Sequence, residues 1–128
     1  MVELEKEARR VEEIYKNLIS ELNHNFRILS PPGGRMFSSH FDTSYFDSIR
    51  NSLHYLPTDL SDDLKELYEQ LREANLYIAK LGNLDYQEFR SRYWDESRRL
   101  DGLTPKIIEA IQRIKQDIKS RLGKLEQL

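Results

Sequence analysis

Glu21, His24, Arg35, His40 and Asp42 are the side chains whose types and spacing come nearest to chemistry. Three of them sit in the most distinctive stretch of the chain, Pro31-Pro32-Gly33-Gly34-Arg35-Met36-Phe37-Ser38-Ser39-His40-Phe41-Asp42. Glycines let a backbone approach a phosphate closely, and an arginine can grip an oxyanion through two parallel hydrogen bonds. The lysine and hydroxyl of a phosphate-binding P-loop are missing here, and no strand-like run precedes the glycines. Ser39, His40 and Asp42 supply the residue types of a hydrolytic triad. Near neighbours in sequence rarely reach triad geometry, and no Gly-x-Ser-x-Gly turn occurs. Glu21-x-x-His24 is half of the arrangement used by di-iron helical bundles, but the chain has no second such pair. The three histidines, His24, His40 and His54, show no metal-ligand spacing, so no metal and no cofactor is expected. The plainer reading of the 30–42 stretch is a long connection whose Phe37 and Phe41 tuck into the end of a bundle.

Two asparagines fall at or beside apolar seams. Asn25 occupies a core position of the first predicted helix, and Asn75 lies beside one in the third. A buried asparagine fixes register or partner number at some cost in stability, and with Glu21 and His24 it offers the parts of a small polar network. Further on, Arg90, Arg92, Arg98 and Arg99 accompany Tyr93 and Trp94. Arginine with aromatics can stack on bases, but Glu88, Asp95, Glu96 and Asp101 are interleaved and repel phosphates. Trp and Arg are also enriched at protein-interface hot spots, which makes Trp94 and Arg90 the interface candidates. The last helix carries a basic excess and the third an acidic one; flanking lysines that cover apolar edges are the commoner explanation, and complementary pairing of the two helices is a further one, discarded if they are not neighbours.

The elements that must position these residues are helices. The 128-residue chain has the size of one domain, assigned to residues 1–128. Hydrophobic residues make up 38% and charged residues 33%, a balance that suits long helices with wide solvated faces. The net charge of −2 gives no global argument for nucleic acid or an anionic membrane. The absence of cysteine removes disulfides and thiol chemistry and favours the cytoplasm. The opening run has no apolar signal core, and no stretch approaches the roughly 20 apolar residues that span a bilayer, so no direct membrane insertion is expected.

Apolar residues at steps of four and three mark helices over about 2–29, 59–81 and 105–125, with shorter ones over about 43–54 and 85–100. Pro31-Pro32, Gly82 and Asp101-Gly102 read as stops, and Thr104-Pro105 as a cap followed by proline in the first turn. Asp42, Thr43 and Ser44 offer themselves as N-caps of the second helix. No strand-like alternation bounded by hairpin turns is present. The pattern predicts an all-α fold, an antiparallel helical bundle with three long heptad-patterned helices and two shorter ones.

The run Thr43-Ser44-Tyr45-Phe46-Asp47-Ser48-Ile49-Arg50-Asn51-Ser52, followed by Leu56-Pro57, Leu64, Leu67-Tyr68 and Asn75, resembles helical segments of uncharacterised prokaryotic proteins. In those proteins a Glu-Leu-x-x-Asn-like motif, here Glu21-Leu22-Asn23-His24-Asn25, ends the preceding helix. A single membrane helix often comes first there and is not read in this chain. The resemblance implies a helical fold and carries no activity.

The leading functional expectation is a non-enzymatic protein–protein interaction or scaffold module that associates with itself. The alternative is a small-ligand or enzymatic site at the bundle end, made by Glu21, His24, Arg35, His40 and Asp42. A third is nucleic-acid binding through the fourth helix.

Overall fold

The computed structural model describes the backbone of residues 2–29, 40–82 and 86–126, and the side chains of residues 5–29, 40–80 and 98–126. All regular structure among these residues is helical. Helix α1 runs Val2–Leu29, α2 is the short Ser44–Ser48, a 3-10 helix covers Arg50–Tyr55, α3 runs Thr58–Gly82 and α4 runs Tyr86–Glu126.

The apolar stripes of the long helices form the core. Ile14, Tyr15, Leu18 and Leu22 are buried from α1. Leu60, Leu64, Leu67, Leu71, Ala74 and Ile78 are buried from α3, and Leu100, Ile107, Ile111, Ile114 and Ile118 from α4. Helix α4 packs against both α1 and α3. Complementary pairing of the acidic and basic helices is present. Asp59 and Asp63, early in α3, meet Arg121 and Arg113, late in α4, each at 3.1 Å. Lys115 of α4 donates to Asn23 of α1 at 2.8 Å. The two ion pairs lie near solvent and each contributes little, at most about 1 kcal/mol.

Two helix boundaries differ from the sequence reading. The fourth and fifth predicted helices are one continuous α4 of 41 residues, roughly 60 Å long, with Gly102 and Pro105 inside it. Proline in a helix interior removes one backbone bond and disfavours helix by about 3 kcal/mol, and glycine by about 1 kcal/mol. Burial of Leu100 before these residues and of Ile107, Ile111 and Ile114 after them holds both sides against the same core and offsets that cost. The Thr104 hydroxyl, read as a cap, instead donates back to the carbonyl of Leu100 at 2.8 Å, a bond made inside a helix.

The second predicted helix is also altered. It is split into α2 and the 3-10 turn rather than one helix over 43–54. The Ile49 N–H is shared between the carbonyls of Tyr45 and Phe46, both at 3.2 Å, and the next bond, Ser52 N–H to Ile49, spans three residues. The change of hydrogen-bond period therefore happens at Ile49, which is buried.

Candidate functional site

Between α1 and α3 lies the segment Phe41–Phe46, and polar side chains of both helices hold its backbone. Asn25 of α1 is fully buried. Its Nδ2 donates to the Asp42 carbonyl at 2.9 Å, and its Oδ1 accepts from the Asp42 N–H at 2.8 Å. Asn75 of α3 repeats this one residue earlier: its Oδ1 accepts from the Phe41 N–H at 2.7 Å, and its Nδ2 donates to the Phe41 carbonyl at 3.0 Å. In extended chain one residue's N–H and C=O face one side and the next residue's face the other. Two asparagines on opposite helices can therefore grip two successive residues. A side-chain amide carries the donor and the acceptor this requires on two adjacent atoms, whatever the pH.

Glu21 lies one helical turn before Asn25 and is also buried. Its carboxylate accepts from the N–H of Tyr45 at 2.8 Å and of Phe46 at 3.2 Å, donors in the first turn of α2. The Tyr68 hydroxyl of α3 donates to the same carboxylate at 2.6 Å. The Tyr68 ring stacks on Phe46, with centroids 4.2 Å apart and planes 11° from parallel. Burial, and then the bond to Glu21, push the Tyr68 hydroxyl far above the usual phenol range, so it stays a donor. The expected N-caps do not cap. Thr43 stands at the cap position without a side-chain cap bond, and its hydroxyl donates to Asp47 at 2.9 Å. Asp42 instead closes a turn on itself, its Oδ1 accepting from the N–H and the hydroxyl of Ser44 at 2.9 and 2.6 Å. These two bonds hold the Asp42 carboxyl below its ordinary range.

The residues predicted as a ligand or enzymatic site are partly brought together. Glu21, His24 and Asp42 line one open depression of about 350 Å³ with Asn17, Ser20, Ser44 and Tyr45. His24 is exposed at its rim. His40 is exposed and adjoins the Asn75-bound residue Phe41. Arg35 lies outside the described residues, as do the side chains of Arg90 and Trp94 within α4. The Arg99 guanidinium lies over the Tyr77 ring, 6.0 Å from its centroid. The Glu21 carboxylate, the one buried acid of the depression, is engaged by three donors of the chain itself. Among the described residues no group of three histidine or acidic side chains is placed to hold a metal ion. No helix there is long and apolar enough to cross a membrane.

Sequence reasoning placed Asn25 in the core but missed the parts taken by Asn75 and Tyr68. The available signal was Tyr68 and Asn75 themselves, seven residues apart and so on one face of a leucine-lined helix. No family model, curated protein or solved structure matches the chain.

Proposed function

We propose that the protein is a non-enzymatic interaction or scaffold module that associates with itself. One observation carries the reading: among the described residues, Glu21, Asn25, Asn75 and Tyr68, polar groups that face the space between α1 and α3, are engaged in holding the chain's own Phe41–Phe46 segment. They are thereby withdrawn from acid–base work, and the surface left to act is that of long helical rods. We read those rods as an antiparallel, heptad-patterned bundle in the cytoplasm. The ion pairs of Asp59 with Arg121 and Asp63 with Arg113 support opposite directions for α3 and α4. The lack of cysteine supports the compartment.

Sedimentation velocity over a concentration range from about 1 to 100 μM tests this. Concentration-dependent mass above that of one chain is expected. A single-chain mass throughout would remove the reading. The second reading, a small-ligand site, is favoured by the shared depression of Glu21, His24 and Asp42. It requires a ligand that contacts His24 and Asp42 while Glu21 keeps its internal bonds. It is dropped if Asn17, His24 and Ser44 resonances stay unmoved across a panel of carboxylates, phosphates and amines.

A further inference from the structure

We propose that a second depression, between the 3-10 turn and α3, binds a small oxyanion that carries an apolar group. The depression measures about 330 Å³ and is lined by Phe46, Arg50, Leu53, Lys65, Glu69 and Arg72. That volume is at the small end of ligand sites, which span roughly 300–1,000 Å³. This proposal goes beyond self-association and does not depend on it.

Three cations from two elements meet there. Lys65 and Arg72 are seven residues apart on α3 and share its face, with Glu69 between them, and Arg50 comes across from the 3-10 turn. Neither the Arg50 nor the Lys65 side chain makes a hydrogen bond or ion pair among the described residues, and both are exposed. Arg72 is held by Asp47, which accepts from its Nη2. A guanidinium has five N–H donors, so this bond fixes its position and leaves others to face a ligand. Three positive charges against Glu69 and Asp47 leave a local balance of +1 on a chain whose net charge is −2. An oxyanion there relieves the mutual repulsion of the cations and gains charge-assisted hydrogen bonds. Leu53, half-buried, with Phe46 beneath it in the lining, gives an apolar group a place to rest beside the charged head.

The test is an amide-resolved NMR titration of the whole chain with phenyl phosphate, and in parallel with phenylacetate, inorganic phosphate and benzyl alcohol. Saturable shifts at Arg50, Leu53, Lys65 and Arg72 are expected with phenyl phosphate or phenylacetate, and the stronger of the two identifies the head group. Inorganic phosphate and benzyl alcohol are each expected to bind at least about tenfold more weakly. In an Arg50→Gln/Lys65→Gln variant the affinity should fall at least about tenfold with little change in thermal midpoint, since both side chains are exposed, neither makes a hydrogen bond or ion pair among the described residues, and Arg50 acts on Asp47 only through its charge. The proposal is overturned if both aromatic anions give no saturable shift up to about 10 mM. It is equally overturned if the variant binds as well as the parent, or if benzyl alcohol binds as well as the anions.

Discussion

At the residue scale, the grip on Phe41–Phe46 depends on groups with one acceptable chemistry each. Glu21→Ala strands two backbone N–H groups and the buried Tyr68 hydroxyl, and should destabilise by about 3 kcal/mol in urea unfolding. Tyr68→Phe removes one hydroxyl and keeps the ring stack, so a smaller loss of about 1 kcal/mol is expected. If Tyr68→Phe proves the more damaging, the carboxylate is not the hub. Asn25→Asp is expected to cost more than Asn25→Ala, because it loses the donor to Asp42 and adds a charge at a fully buried position. Asp47 makes a pH prediction. Burial pushes its carboxyl up, but hydrogen bonds from Arg72 and Thr43 outweigh that and hold it below its ordinary range. Asp42 is lowered as well. A carboxyl with a depressed folded value takes up its proton in the unfolded chain first. Each therefore contributes stability above about pH 4 and loses it as pH falls further through the folded value. Thermal midpoints measured from pH 6 to pH 2 should fall less steeply in Asp47→Asn than in the parent.

At the element scale, α4 is a helix that its local sequence opposes. Gly102 has open space where a Cβ would sit, with nothing within 4 Å. Gly102→Ala should accordingly stabilise by about 0.5–1 kcal/mol. Pro105→Ala restores a backbone donor in mid-helix and should stabilise by up to about 3 kcal/mol. Destabilisation by both substitutions in denaturant melts would mean that the helix is interrupted near residues 101–105. Legibility at this scale followed the strength of the competing local signal. Pro31-Pro32 lies outside the described residues, and α3 is described as far as Gly82. Thr104-Pro105 was misread because the same dipeptide either starts a helix or is tolerated inside one. The packing of Leu100 and Ile107 decides between them, and periodicity does not report how two stripes align across a proline. The break at Ile49 was hidden for a similar reason: one shared N–H separates the two hydrogen-bond periods.

At the scale of the whole molecule, α4 is the common partner of α1 and α3, while Phe41–Phe46 bridges the space between those two. Loss of packing in the middle of α4 should then loosen everything at once. Ile111→Ala, at a fully buried position, is expected to cost about 2–5 kcal/mol and to lower hydrogen-exchange protection in α1 and α3 together. Loss confined to α4 would show that the helices do not share one cooperative core. Self-association belongs to this scale too, and the sedimentation experiment addresses it directly.

The sequence by itself determined that the fold is all-helical and that Leu18, Leu22, Leu64, Leu71, Ile111 and Ile118 face inward, because helical periodicity and apolar burial are properties of each segment alone. It also brought Glu21, His24 and Asp42 into consideration together, and they do border one depression. What those residues do was decided by tertiary structure. Whether a carboxylate acts as an acid, a ligand or a cap depends on which donors surround it. For Glu21 these come from residues 24, 25 and 47 positions away in the chain. The same holds for Asn25 and Asn75, whose amides match any exposed peptide and find theirs only where α1 and α3 flank the backbone of Phe41 and Asp42.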